Sequence, residues 1–361
     1  MPLSKEKILL FGGSFNPFHF GHLQILKQAE QVIQPNKIFI IPSGYNPEKN
    51  ISFDEFISNE DRLKILELSL SNYQQYLVSD FEIKNDEFTY TYQTIAHFKK
   101  QFPNSEIYLL IGADQWNQFH MWKNYLEILE DAKIVVAKRN NVQINNSNLD
   151  IERIIIPGIN YEISSTLIRL NPKPFFVPNN VLNYINDHGL YAINRIKSLM
   201  SEHRFNHSLR VAFMCKELMN KFDNKQSVLA YTAGIYHDIA KEMDYDNQIN
   251  IAENILGIYD YGSPKVLHGY IGAYLLQTKY FFTNKNILNA ICRHTKPYDY
   301  YNEEPTLLDK VLYLSDKLEP NRNNDDVFGE DINYYRKLAF NDPNKCFEEL
   351  LNLIQSKITK K

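Results

Sequence analysis

Alternation between short β-rich runs and helical patterns over residues 7 to 170 constrains this chain more than any other feature. In order come KILLF, HLQILKQAEQVI, KIFIIP, DRLKILELSL, YLVSDF, YQTIAHFKK, EIYLLIG, YLEIL, KIVVAK and RIIIP. Strands of branched apolar residues separated by helix-length segments predict a parallel sheet, because each parallel connection needs a crossover helix. After VPNNVLNYINDHGLY the strand signal stops. Gly189 can cap a helix, and from Arg195 onward nearly every segment reads as helix. The expected organisation is two domains, residues 1–193 with an α/β, Rossmann-like, doubly wound parallel sheet, and residues 194–361 with an all-α fold. A chain of 361 residues also exceeds what one core usually serves.

Charge narrows the partners. With 39 basic against 43 acidic residues the formal charge is -4, so no broad cationic surface is available and nucleic-acid binding is not expected. Small anions need only a local pocket. Cys215, Cys292 and Cys346 are odd in number, far apart and without CxxC spacing, and read as reduced core thiols of a cytoplasmic protein. The apolar run in MPLSKEKILLFGG is four residues long, too short for a signal-peptide core or a membrane span. No membrane partner is expected, and a homo-oligomer is compatible with the sequence. NNVQINNSN at 140–148 reads as a surface loop.

GGSFNPFHFGH (12–22) connects the first strand to the first helix. Glycines after a strand let the backbone approach a ligand, and a helix start turns free amides toward the same place. The loop is neither GxxxxGK[ST] nor GxGxxG, so the lysine of a P-loop is absent and His19 and His22 are the candidates to meet phosphate. ISSTLIR (163–169) reads as a second helix start, with Ser164 or Ser165 as N-cap and Arg169 one turn on. Asp114 follows the strand IYLLIG at its carboxyl end, where it serves either a ligand or an N-cap.

GGSFNPFHFGH resembles the HxGH signature of the nucleotidyltransferases that transfer adenylyl groups from ATP. YTYQT (90–94), IGADQWNQFHMW (111–122), ISSTLIR and VPNNVLNYINDHGLY (177–191) are similar, in order and spacing, to bacterial nicotinate-nucleotide adenylyltransferases over residues 1–192. The resemblance implies in-line attack of the 5'-phosphate of nicotinate mononucleotide on the α-phosphate of ATP, giving deamido-NAD and pyrophosphate, with Mg2+ carried by the nucleotide. It implies His19, His22 and Arg169 as catalytic residues, and a phosphate cradle at Gly12, Gly13, Ser14 and Phe15. Gly112 and Asp114 would lie at the nucleotide, and Ser164, Ser165 and Thr166 would form a second phosphate clamp. Tyr90 and Thr91 would read the nicotinate carboxylate, with Trp122 stacked on the pyridine ring, while Trp116 is read as core. Two departures stand out. NPEKN places Glu48 before Lys49 where the family often has a histidine-lysine pair, leaving Lys49 as the phosphate candidate, and Gln93 stands where an aspartate is usual. Nicotinamide mononucleotide or a pantetheine phosphate are the alternative acceptors.

In the helical half, four of five histidines look chosen together: His207 in RFNHSLRVA, His237 in AGIYHDIAKE, His268 in VLHGYIGA and His294 in AICRHTKP, joined by Asp238 and Asp316. Residues 237 and 238 on one helix point about 100° apart, so both can face a metal over that edge. Four imidazoles and two carboxylates without a thiolate suit iron first, then manganese or a similar divalent ion, and two metals are feasible. These segments, with YLSDKLEPNR, resemble bacterial HD-domain hydrolases that split diadenosine tetraphosphate symmetrically into two ADP. That similarity implies His207, His237, Asp238, His268, His294 and Asp316 as ligands, Asp238 also as catalytic residue, and Arg204, Lys241 and Arg322 for phosphates. HTKPYDYYNEEPT replaces the family's HTT-glycine stretch. The alternatives are a different nucleotide substrate or a non-catalytic, regulatory nucleotide-binding module.

Overall fold

The computed structural model describes residues 5–44, 57–85, 87–139, 142–144, 151–159, 163–298, 304–327 and 329–358. The chain divides by contact into two compact units, Met1–Val181 and Leu182–Lys361. Among the described residues no helix is long and apolar enough to cross a membrane.

The first unit is built on strands β1 (Lys7–Gly13), β2 (Lys37–Pro42), β3 (Tyr76–Val78), β4 (Glu106–Gly112), β5 (Ala132–Arg139) and β6 (Arg153–Ile159). They pair in the order β3-β2-β1-β4-β5-β6, every pair parallel. Helices α1 (Phe20–Ile33), α2 (Asn59–Leu70), α3 (Thr91–Gln101), α4 (Ala113–Asn117) and α5 (Tyr125–Asp131) lie in the connections from β1 to β5, and α6 (Ser165–Leu170) follows β6. Ile8, Leu9 and Leu10 of β1 are fully buried, as a central strand covered on both faces requires. The strand order reverses between β1 and β4. In an open sheet of this kind the crevice beyond the carboxyl ends of those strands receives the ligand. GGSFNPFHFGH leaves β1 there, and Gly112-Ala113-Asp114 leaves β4 at the same edge.

The second unit is helical among its described residues: α8 (Ala192–Lys197), α9 (Glu202–Phe222), α10 (Ser227–Tyr236), α11 (Tyr245–Asn254), α12 (Leu267–Lys279), α13 (Lys285–Arg293), α14 (Leu307–Leu318), α15 (Ile332–Asn341) and α16 (Pro343–Ile358). Its main core joins Val211, Leu218, Ile235, Ile291, Leu312 and Phe347, contributed by α9, α10, α13, α14 and α16. All three cysteines are free and buried. The division between units falls inside α7 (Asn179–Asp187), ahead of the seam expected from the sequence pattern. Leu182 and Ile185 are buried, Asn186 Nδ2 donates to Tyr280 O at 3.0 Å, and Thr232 Oγ1 donates to Asp187 O at 3.1 Å. These bonds tie the second half of α7 to the helical unit.

Candidate active sites

His19 is the N-cap of α1, with extended backbone, and His22 sits three residues in. The first amides of a helix have no partner in the helix itself. Here the two rings take that role: His22 N–H donates to His19 Nδ1 at 3.4 Å, and His19 N–H donates to His22 Nδ1 at 3.3 Å. The rings stack at 3.7 Å between centroids. A Cβ on Gly21 would lie 3.0 Å from His19 Nδ1 and 2.7 Å from Ile163 Cγ2, so only glycine lets the first ring fold over the helix start. Phe15 is buried edge-on against His22, and Phe18 stacks on it.

This geometry fixes the tautomer. A nitrogen that accepts from an amide carries no proton, so the proton of each neutral ring sits on Nε2, which becomes a donor. Both rings are neutral at ordinary pH. Burial, His22 and Arg139 hold His19 well below its usual value, and burial with Arg139 pushes His22 down to about 3.

The loop between strand and histidines is held from two sides. Ser165 Oγ donates to Pro17 O at 3.0 Å and Arg169 Nη1 to Asn16 O at 3.0 Å, so the start of α6 is fastened to the loop. Ser164 is the N-cap, accepting from Leu167 N–H at 3.2 Å, and Thr166 Oγ1 accepts from Arg169 Nη2 at 3.1 Å. On the other side Arg62 Nη1 donates to Ser14 O at 2.9 Å. Sequence reasoning missed Arg62, although it lies on the buried stripe of α2 with Ile65, Leu66 and Ser69, where a charge is unexpected. Gly12 and Gly13 pair with Ile41 and Pro42 of β2 at the strand end.

Asp114 stands half exposed in the first turn of α4 and ion-pairs with Arg139 at 3.6 Å. A Cβ on Gly112 would meet its Oδ1 at 2.6 Å, so the carboxylate folds back over the strand end. Trp116 is buried, and Trp122 is half-buried against Phe119. Tyr90 precedes α3, and Thr91 begins it. Gln93 accepts from Tyr90 N–H at 2.8 Å, doing what a shorter aspartate would do at that third position. Glu48 and Lys49 lie outside the described residues.

In the second unit the six expected ligands converge. Asp238 Oδ2 lies 3.4 Å from His237 Nε2 and 3.8 Å from His207 Nε2, while its Oδ1 lies 3.1 Å from His268 Nε2 and 3.7 Å from His294 Nε2. Asp316 Oδ1 is 3.1 Å from His207 Nε2 and 3.7 Å from His237 Nε2. All six residues are buried. His207, His237 and Asp316 form one group able to hold an ion, and His237, Asp238 and His294 another. The helix expected through 237 and 238 ends at Tyr236; the bonds Ile239 N–H to Tyr236 O and Lys241 N–H to Asp238 O form tighter three-residue turns.

That ending orients the ring. His237 Nδ1 donates to Gly234 O at 2.8 Å, His268 Nδ1 to Lys265 O at 2.8 Å, and His294 Nδ1 to Ile291 O at 2.6 Å. Carbonyls only accept, so Nδ1 carries the proton and each Nε2 offers a lone pair to the centre. His268 and His294 Nε2 approach to 3.0 Å, an approach of two lone pairs that needs a cation or proton between them. His237 Nε2 is buried without a hydrogen-bond partner among the described residues. A Cβ on Gly269 would come within 2.9 Å of Cys292 O, so this glycine lets α12 and α13 close up and bring those two histidines together.

Electrostatics points the same way. Burial alone would lower His237, yet the charges of Asp238 and Asp316 raise it to about 10; burial takes His294 down to about 4. A site that holds a proton between two carboxylates suits a dication. The residues fit divalent metal ions on these grounds.

Cations surround the carboxylates. Arg204 Nη1 donates to Asp238 Oδ2 at 2.7 Å, Arg322 Nη2 lies 3.5 Å from Asp316 Oδ1 while its Nε donates to the Asp316 backbone carbonyl at 3.2 Å, and Lys241 Nζ lies 3.3 Å from His268 Nε2. Lys317, which sequence reasoning missed, donates to Asp316 Oδ2 at 2.5 Å. With Arg210 and Lys265 they line a cavity of about 880 Å³ that opens on the histidines. Glu319 was also missed, although it stands three residues past Asp316 in YLSDKLEPNR.

Residues 10–171 match the cytidylyltransferase-like family and residues 204–321 the HD domain. A Mycoplasma genitalium protein named probable nicotinate-nucleotide adenylyltransferase/Ap4A hydrolase is 36% identical, covering 98% of this chain and 99% of that protein. Its Mycoplasma pneumoniae counterpart of the same name is 33% identical, covering 96% and 99%. Among solved structures, Plasmodium falciparum nicotinic acid mononucleotide adenylyltransferase complexed with NaAD is similar over 52% of this chain and 98% of that one, at 19% identity and a TM-score of 0.46.

Proposed function

Since this chain belongs to the family in which a nicotinate-nucleotide adenylyltransferase is fused to an HD-domain hydrolase, we propose that it carries out two reactions. The first unit transfers the adenylyl group of ATP to nicotinate mononucleotide. The second hydrolyses diadenosine tetraphosphate symmetrically to two ADP. Three buried, free thiols suit the reducing cytoplasm as the place where both occur.

In the first reaction an oxygen of the nicotinate mononucleotide phosphate forms a bond to the α-phosphorus of ATP, and the bond from that phosphorus to the bridging oxygen of pyrophosphate breaks. No covalent enzyme intermediate is required. The protein positions the phosphates and stabilises charge as it develops. His19 and His22 donate from Nε2 to phosphate oxygens, and the start of α1 adds its dipole. Arg169, Ser165 and Arg62 keep the loop at one distance from the sheet. Mg2+ accompanies ATP. Tyr90, Thr91 and Trp122 receive the nicotinate ring.

In the second unit, His207, His237, Asp238 and Asp316 would hold one divalent ion and His268, His294 and Asp238 a second, with iron or manganese suiting this donor set. Bound ions would supply an activated water and polarise the attacked phosphate. Arg204, Lys241, Lys317 and Arg322 bind the remaining phosphates, whose charge would draw Arg204, Lys317 and Arg322 from the carboxylates and Lys241 from the His268 ring that they now contact.

The observation that carries this reading is what each Nδ1 bond leaves at Nε2: donors on the stacked His19 and His22 rings of the first unit, and lone pairs gathered around Asp238 and Asp316 in the second. Purified chain given Mg-ATP and nicotinate mononucleotide should form deamido-NAD and pyrophosphate, faster than with nicotinamide mononucleotide. The same preparation should contain about two transition-metal ions per chain and convert diadenosine tetraphosphate to ADP alone. Release of AMP and ATP would overturn symmetric cleavage, and failure to form deamido-NAD would overturn the first assignment.

A further inference from the structure

Three of the four imidazoles in the second unit are oriented by the carbonyl three residues before them, and each stands at or next to a helix end. His207 stands inside α9, where backbone carbonyls are committed to the helix. Its Nδ1 needs a partner from elsewhere. It finds Glu319 Oε1 at 3.3 Å, across 112 residues of sequence.

Glu319 is itself fixed. Its side chain is 3% exposed. Oε2 accepts from Arg210 Nε at 2.6 Å and from Asn321 N–H at 2.8 Å, and Oε1 accepts from Arg210 Nη2 at 3.2 Å. The segment carrying it is braced by Arg336, whose guanidinium donates to the carbonyls of Leu318, Glu319, Pro320 and Arg322. Arg336 thus closes the carbonyl end of α14, while Arg210 and the Asn321 amide hold the carboxylate itself.

We propose that Glu319 is a positioning residue for one of two metal positions, locking the His207 ring so that Nε2 faces the group His207, His237 and Asp316, and strengthening it as a donor. The other position is served by His268 and His294, whose Nδ1 atoms meet neutral carbonyls, and does not depend on Glu319. This inference rests on the metal-binding reading above. A carboxylate behind a ligating imidazole raises its basicity, and removing such a partner typically weakens metal binding about 10–100-fold.

The test is titration of metal-free, full-length protein with Mn2+, comparing wild type, Glu319→Ala and Glu319→Gln. Wild type should take up two equivalents. Glu319→Ala should keep one at wild-type affinity and bind the other about 10–100-fold more weakly. Glu319→Gln retains an oxygen for Nδ1–H but lacks the charge, so it should fall between the two and carry the test should alanine unfold the unit. Deamido-NAD formation should be unchanged in both. Wild-type affinity for both equivalents in both variants overturns the proposal, as does equal weakening of the two equivalents. A wild-type chain that binds no Mn2+ overturns the metal reading itself, and this proposal with it.

Discussion

In the first unit the paired imidazoles are anchored by amide N–H groups at the start of a helix, whereas in the second His237 and His294 are anchored by carbonyls at the ends of α10 and α13. A helix leaves unpaired donors at one end and unpaired acceptors at the other. Histidine satisfies either with Nδ1, and the choice decides whether Nε2 carries a proton. In these two pairs the end of the helix sets the tautomer, and the tautomer sets what Nε2 can meet: a group that accepts its proton, or one that takes its lone pair. One residue type serves opposite chemistries without any change of covalent structure.

The strongest way to break this contrast is to delete one site and assay both. His19→Ala should lower deamido-NAD formation at least about 10²- to 10³-fold, as expected for a lost donor to transition-state charge, and leave hydrolysis intact. Asp238→Ala, which removes the carboxylate facing both imidazole pairs, should abolish metal uptake and hydrolysis while adenylyl transfer persists. A variant that loses both activities would refute independent sites.

Glutamine sharpens the comparison, because its amide N–H can stand in for Nε2–H but is a poor metal ligand. His22→Gln should retain transfer within about tenfold, the cost of one misplaced hydrogen bond to charge. His294→Gln should lose a metal equivalent. Equal losses from both swaps would mean that both histidines act alike.

Acid offers a third comparison. His22 is held at about 3 and His19 also lies below its usual 6.5, so the unfolded chain binds more protons than the folded one between those values. Their contribution to the first unit's stability is therefore lost as pH falls from 6.5 toward 3. Glu82, pushed up to about 7 by burial, has the opposite sign, and its contribution fades as pH rises through 7. Thermal unfolding against pH should show a shallower acid limb in His22→Gln than in wild type.

The smallest effect is purely spectroscopic. Imidazole ¹⁵N shifts should report a proton on Nε2 in His19 and His22, and on Nδ1 in His268 and His294 of the metal-loaded protein. The reverse pattern in either unit would remove the basis of the contrast.

Much of both sites was legible because their chemistry sits in short contiguous segments at element boundaries: strand to helix for His19 and His22, the N-cap at Ser164, the adjacent His237 and Asp238. What was not legible is carried by long-range pairs. Arg62 reaches Ser14 O across 48 residues, and Glu319 reaches His207 across 112; locally the first shows only as a charge on the buried stripe of α2, and the second only as a carboxylate three residues past Asp316. Tautomers were also hidden, since they depend on whether a helix end supplies an amide or a carbonyl. The ending of α10 at Tyr236 shows this, for propensity alone continues the helix through the ligands. Gln93 is the reverse case: the residue that departs from the usual aspartate has a local role that its place three residues past Tyr90 already offers, that of a cap.

Because three of the candidate ligand rings hang from the backbone at helix boundaries, a metal centre there would be stitched to the turns that fray first in any helix. Ions gripped there would act as clasps on those turns, and stripping them should quicken amide exchange around residues 234–241 and 291–295 well before the surrounding helices melt.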